Sequence, residues 1–258
     1  MRVVSLHPDV LLATSAIWQT NCAIVRSGDE AFAIDSPVLP EELEVLPALL
    51  EQSRFPAPSG LLATHADWDH LLGRLAFPDA ALGCAVTSAE RMRSTPGTAQ
   101  RELRSFDEEH YVQRPRPLAL GSVQELDVPG VCEIGGRRLA LHPAEGHTSD
   151  GMAIWIDWAG VLLAGDYLST VELPVLGEGS STDAYLATLE RLRPLVLQAE
   201  HVVPGHGPAL DSLRAMAVLE EDYAYLRSLY ADASMAELPP GRRTKAQRVI
   251  HEANLVRA

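Results

Sequence analysis

An α/β fold formed as one domain is the fold class this sequence predicts, and three observations predict it. Its 258 residues suffice for one sizeable domain, a length that two packed sheets routinely reach without splitting. Apolar, β-compatible runs recur along the chain and alternate with stretches of helical periodicity. Hydrophobic residues at 47% and charged residues at 22% describe a chain able to bury a core, neither disordered nor membrane-spanning.

The N-terminal part reads as a hairpin. Residues 20–26 (TNCAIVR) and 31–35 (AFAID) are β-compatible, and Ser27-Gly28-Asp29-Glu30 between them supplies a glycine for a tight turn. A helix is predicted from Glu41 to Gln52, with Leu43, Leu46, Leu49 and Leu50 on one face, entered from Pro40 and closed before Pro56. Pro47 should bend or shorten it. Gly60 to Thr64 is a short apolar strand that delivers the chain to His65. From Ser88 to about Phe106 the pattern is helical but polar, broken at Thr95-Pro96-Gly97, and up to Pro117 it is the least core-like part of the chain. Strands resume at Leu139–His142, Met152–Trp158 and Val161–Ala164, with Ala159-Gly160 turning the last pair. A helix from about Thr182 to Arg193 puts Tyr185, Leu186, Leu189 and Leu192 on one side, and a strand at 201–203 returns the chain to Pro204-Gly205-His206. The tail, 211–258, is helical. Met216, Leu219, Tyr223, Leu226 and Tyr230 recur at spacings of three and four, as core packing or a homodimer seam would require, and a second helix is expected from Arg242 to Val256.

Charge and cysteine usage narrow the function classes. With 35 acidic and 21 basic residues the net charge is −14, which disfavours attraction to nucleic-acid backbones or anionic membranes and leaves a small molecule as the expected partner. Met1 to Asp9 lacks a basic region followed by an apolar stretch, so a cytoplasmic location is expected. Cys22, Cys84 and Cys132 lie far apart among apolar or small residues and read as core thiols. No G-x-S-x-G or CxxC motif is present.

Residues 64–70 read Thr-His-Ala-Asp-Trp-Asp-His, concentrating His65, Asp67, Asp69 and His70 in one loop. Neutral imidazole and ionised carboxylate are the standard donors to zinc, iron and manganese, and this density suits a pair of divalent ions. The competing reading is a polar helix entry in which Asp67 or Asp69 caps the helix that follows. Three further pieces come in order: Glu145-Gly146-His147-Thr148-Ser149, Leu163-Ala164-Gly165-Asp166 and Pro204-Gly205-His206-Gly207. Each alone is an ordinary turn after a strand; their succession behind the 65–70 cluster carries the weight.

In these residues the chain resembles the metallo-β-lactamase superfamily, and within it the glyoxalase II-like and lactonase-like hydrolases rather than the antibiotic-hydrolysing enzymes. His65, Asp69, His70, His147, Asp166 and His206 match the pattern THxHxDH, GHT, GD and GHG, from Leu11 to about Leu210; Asp67 departs from it, standing where the second His is usual. The resemblance implies a four-layer αββα sandwich with added C-terminal helices, in a single domain over 1–258. It also implies two divalent metal ions, zinc first and iron or manganese next. His65, position 67 and His147 would hold one ion, Asp69, His70 and His206 the other, and Asp166 would bridge. Flavodiiron proteins of the same superfamily carry a Glu at this position and bind iron, so an acid there is compatible with two metals.

The expected activity is a metal-dependent hydrolase that presents a metal-bridging hydroxide to a small ester, thioester or lactone, with Asp69 as catalytic residue orienting the water or accepting its proton. A diiron redox protein resembling the flavodiiron catalytic domain and a non-catalytic metal-binding protein are the alternatives. Asp67 also alters the charge of the expected site. With two divalent ions and one hydroxide the usual ligand set carries one positive charge, and an extra carboxylate brings it to zero, which should favour iron or manganese relative to zinc. Segment 88–117, with Arg91, Arg93, Arg101, Arg104, Arg114 and Arg116 offset by acids, reads as a solvated face or as a lid. His142 and His201 read as packing residues, with support of the metal ligands as the alternative.

Overall fold

The computed structural model describes residues 1–177 and 179–257. Twelve strands form two sheets. The first runs in spatial order from β1 (Arg2–His7) through β2 (Val10–Thr14), β3 (Asn21–Ser27), β4 (Glu30–Asp35), β5 (Gly60–Ala63) and β6 (Ala81–Ala85) to β7 (Val123–Leu126). Its first four strands are antiparallel, and β4 to β7 are parallel. The second sheet comprises β8 (Gly130–Ile134), β9 (Arg137–Pro143), β10 (Met152–Ile156), β11 (Val161–Leu163) and β12 (His201–Val203), antiparallel except for the β11–β12 pair.

Period-two alternation builds the layers. In β2, Val10 and Leu12 point into the space between the sheets, where they meet Ile134, Leu139, Ile154 and Val161 of the second sheet. Leu11 and Ala13 point outward onto α1 (Pro40–Gln52) and its neighbours, packing with Leu46 and Leu50. In β11 the same logic turns Val161 and Leu163 inward and Leu162 outward, against α5 (Thr182–Gln198) and α6 (Ser212–Ala231). Strands buried on both faces therefore read as continuous apolar runs. The result is helices, sheet, sheet and helices: the expected four-layer sandwich.

Several element expectations change. α1 runs unbroken through Pro47, with Leu46 and Leu50 buried against the sheet and Leu43 against Val38 and Leu72. α5 continues through Pro194 to Gln198, beyond the expected end at Arg193, since Leu195 and Val196 extend the buried stripe. In the tail, α6 buries Val218, Leu219, Tyr225, Leu226 and Leu229 while Tyr230 is exposed, so the packed face is rotated from the predicted stripe. The other tail helix is α7 (Lys245–Arg257). Segment 88–117 is more core-like than expected. It holds most of α3 (Val86–Ser94) and all of α4 (Thr98–Glu109), and Leu103 and Phe106 are buried with Val38, Leu43 and Leu72. Cys22 and Cys84 are buried and Cys132 half-buried, all free thiols. Among the described residues no helix is long and apolar enough to cross a membrane.

Candidate metal centre

One edge of the sandwich collects the ends of several strands. β5 ends at Ala63 and releases Thr64-His65; β11 ends at Leu163 and releases Asp166; β12 ends at Val203 and releases His206; the turn between β9 and β10 carries His147. The sheets are tied together here, since Asn21 donates its backbone N–H to the Gly205 carbonyl (2.8 Å) and its side-chain amide to Pro204 and Gly207 carbonyls (2.8 and 2.7 Å). Two glycines are required by close approach. A Cβ at Gly205 would lie 1.9 Å from Asp166 Oδ1, and one at Gly146, whose φ is +126°, would lie 2.2 Å from the Tyr185 backbone nitrogen.

All seven predicted residues come together. Asp166 touches all four imidazoles: its carboxylate lies 3.7 Å from His65 Nε2, 3.4 Å from His147 Nε2, 3.3 Å from His70 Nε2 and 3.4 Å from His206 Nε2. Asp67 Oδ2 faces only His65 and His147, at 3.4 and 3.5 Å. Asp69 Oδ2 faces only His70 and His206, at 3.6 and 3.4 Å. Two triads thus flank one shared carboxylate, each with its donor atoms within 4.8 Å of one another.

Partners behind the rings fix which nitrogen faces inward. His206 Nδ1 lies 3.2 Å from the Trp18 carbonyl, which can only accept, so Nδ1 carries a proton and Nε2 is the nitrogen left to serve an ion. Thr64 donates its hydroxyl proton to Asp35 Oδ2 (2.9 Å) and so accepts from His65 Nδ1 (3.2 Å), with the same consequence for His65. The Asp35 carboxylate also sits 3.1 Å from His70 Nδ1. His147 is held through its backbone, which donates to the Tyr167 hydroxyl (3.0 Å). The buried Nε2 atoms of His65, His70 and His147 and Oδ1 of Asp166 make no hydrogen bond. Buried polar atoms left bare at a point of convergence are what a metal would satisfy, and the donor set fits two divalent ions.

The electrostatics agree. Burial opposes charge on His206, yet Asp166, Glu172 and Asp69 prevail and push its pKa up to about 10. Burial likewise opposes ionisation of Asp166, but His206, His70 and His65 hold it well below the usual carboxylate range. Without ions, protons on the imidazoles balance the carboxylates.

The helix-cap reading of Asp67 fails. Asp67 precedes the short turn Trp68–His70, but its side chain caps no backbone N–H. Instead Oδ1 receives the Arg91 guanidinium at 2.7 Å. The charge count made on the ligands alone is corrected with it: a guanidinium, shared with Asp150 at 2.9 Å, offsets part of the charge that Asp67 brings. Arg91 is therefore no member of a solvated face. Arg114 is also committed, pairing with Asp107 at 2.9 Å. Neither His142 nor His201 belongs to the groups of convergent donors.

Sequence reasoning missed the supporting residues Asp35, Thr20 and Thr64, as well as Asp150 and Glu172. Glu172 converges on Asp166 and His206 from the loop after β11. The tail pins that loop: buried Arg242 pairs with Asp222 of α6 and donates to the Glu172 carbonyl. Gln247 donates to the Thr170 carbonyl (3.0 Å) and Asn254 to that of Pro174 (2.7 Å). The one sequence signal for Glu172 was a lone acid in the apolar run Val171–Leu173. Beside the centre, a cavity of about 420 Å³ lies between α3, α4 and the chain before β7, lined by Ala66, Arg91, Met92, Glu102, Leu120 and Val123.

Comparison with known proteins places this geometry. Residues 16–226 match the profile of the metallo-beta-lactamase superfamily. The Beta-lactamase-like protein 2 homolog of Caenorhabditis elegans is 30% identical over 84 residues, 31% of this chain and 25% of that protein, so the match spans a quarter of the relative's length. Among solved structures, a metallo-beta-lactamase family protein from Thermus thermophilus superposes with a TM-score of 0.67 at 21% identity, covering 88% of this chain and 83% of that one. DIM-1 metallo-beta-lactamase exposed to ceftazidime gives 0.64 at 18% identity, covering 88% and 96%. TTHA1623 in a di-iron-bound form gives 0.62 at 23%, covering 80% and 97%.

Proposed function

The chain belongs to the metallo-β-lactamase superfamily, and from that premise we propose that it is a metal-dependent hydrolase of a small ester, thioester or lactone. The observation that carries this reading is the pair of triads around Asp166, with the inward Nε2 atoms of His65, His70 and His147 making no hydrogen bond. His65, Asp67 and His147 would hold one divalent ion, Asp69, His70 and His206 the other, with Asp166 shared. Bound there, the ions would lower the pKa of a water toward neutrality and draw charge from the oxygen of the scissile group. Zinc ranks first; iron and manganese follow, because Asp67 adds a hard oxygen donor.

The chain's own groups supply the rest. Asp69, deep between His70 and His206, orients the attacking water and accepts its proton. Glu172 closes the other side. In the metal-free chain burial lifts its pKa, His206 opposes, and Asp166 and Asp69 add to the rise. The cavity beside Ala66 would take the remainder of the substrate, with apolar walls at Met92, Leu120 and Val123 and charged groups at Arg91, Arg93 and Glu102. A net charge of −14 points toward a small molecule and away from nucleic acid and anionic membranes.

The test is elemental analysis of protein purified without chelator, then a panel of esters, thioesters, lactones and phosphodiesters with the metal found. About two ions per chain and turnover of the uncharged substrates are expected. Full activity after exhaustive chelation would end the reading. Bound iron with oxygen consumption in place of hydrolysis would replace it with a diiron redox function.

A further inference from the structure

We propose that Arg91 is a positioning residue that makes Asp67 act as a one-atom ligand, in the place where relatives use an imidazole. The inference rests on the dinuclear reading above. Its ground is the division of the Asp67 carboxylate: Oδ1 lies 2.7 Å from an Arg91 guanidinium nitrogen, while Oδ2 faces His65 and His147 Nε2 at 3.4 and 3.5 Å. A free carboxylate beside two cations can chelate one ion through both oxygens or swing toward the other. An imidazole offers a single nitrogen in a fixed direction. Arg91 removes this freedom by occupying one oxygen and leaving one.

Arg91 is itself fixed. Its other nitrogen lies 2.9 Å from Asp150 Oδ1, and the Asp150 side chain is fully buried. Asp150 Oδ2 accepts the backbone N–H of Ala66 at 2.9 Å, one residue from Asp67. The chain of contacts from loop to Asp150 to Arg91 and back to Asp67 is thus closed, and the planar fork of the guanidinium fits both acids at once. The contact also explains how the site carries an additional acid. The guanidinium offsets part of its charge, so the exchange of imidazole for carboxylate is electrostatically milder than the ligand set alone suggests.

A purely structural role, in which Arg91 only ties α3 to the 65–70 loop, predicts different behaviour. The experiment is a cycle of Arg91→Met, Asp67→His and the double variant. Metal stoichiometry is read by elemental analysis, affinity by chelator competition, and folding by thermal melting of the metal-free protein. Arg91→Met is expected to weaken one of the two ions about 10- to 100-fold, the range for losing a residue that orients a ligand, and to leave the other in place. In the Asp67→His background the same substitution should cost nothing, because no carboxylate remains to be oriented. Arg91→Lys, which keeps the charge without the fork, should fall between and keeps the test open should Arg91→Met fold poorly. Two ions bound with native affinity in Arg91→Met, or an equal loss in both backgrounds, would overturn the proposal while leaving the dinuclear reading intact. A wild-type chain that takes up no metal would overturn that reading and the proposal with it.

Discussion

His70 and His206 take their orientation from the interior of the sandwich, whereas Asp67 takes its own from a helix on the outside. His70 is fully buried, backed by Asp35 at the end of β4, and His206 is backed by Thr20 and the Trp18 carbonyl, in the segment where the sheets meet. Asp67 and Arg91 are 29% and 28% exposed, and their contact joins the 65–70 loop to α3. One half of the centre is thus backed by groups of the core, the Asp35 carboxylate, the Thr20 hydroxyl and the Trp18 carbonyl. The other joins buried His65 and His147 to a carboxylate held by a partly solvated ion pair, beside the cavity where substrate would sit. On the proposed reading, a change in α3 would act on the second half more than on the first.

The largest expected effect abolishes the contrast. Asp166→Ala should empty both halves together, with metal content near zero and kcat/KM lowered on the order of 10³-fold, measured by elemental analysis and steady-state kinetics. Retention of one ion would show that the halves do not share this carboxylate. Next is Asp35→Asn, which keeps a residue that tolerates the left-handed backbone at φ +58° but removes the charge behind His70. It should weaken the ion held by Asp69, His70 and His206 about 10- to 100-fold and, through the Thr64 hydroxyl behind His65, the other ion to a smaller degree, as chelator competition would report.

A pH series sharpens the comparison in the metal-free protein. The His206 pKa is raised from its ordinary value of 6.5 to about 10, because surrounding carboxylates outweigh the opposing effect of burial. The protonated ring therefore contributes stability that is fully present below about 6.5 and lost as pH rises toward 10. Melting temperature of the chelated protein should fall across that window, and loading with metal should flatten the fall. A pH-independent melt would sever the link between the buried half and fold stability. The smallest effect is a control on the exposed side. Arg93, two residues from Arg91, pairs with Glu125 at the surface, with 58% and 43% of the side chains exposed. Arg93→Ala should cost less than about 1 kcal/mol and leave both ions bound.

Local signals decided much of this protein before tertiary structure was considered. The hairpin around Gly28, the helix after Pro40 and the strands delivering His65, Asp166 and His206 were legible because period-two and period-3.6 patterns arise within a few residues. His65, Asp67, Asp69 and His70 were legible because imidazoles and carboxylates crowd one loop, whereas His147, Asp166 and His206 stood out through their order behind it and the resemblance to the superfamily pattern. What sequence alone could not give was the second rank of contacts. Asp35, Thr20 and Asp150 look like ordinary strand-end and turn residues; only the meeting of the sheets puts Asp35 behind His70 and Thr20 behind His206. The edge strands β1, β7 and β8 and the parallel strand β6 were missed for a related reason, since such strands gain their stability from neighbours rather than from their own pattern; β2, paired antiparallel on both sides, was missed as well. Asp67 marks the boundary between the two kinds of information. Its identity was plain in the sequence, but its partner, 24 positions along the chain at Arg91, is set by how α3 packs beside the loop, and through-space charge pairing leaves no trace in local spacing.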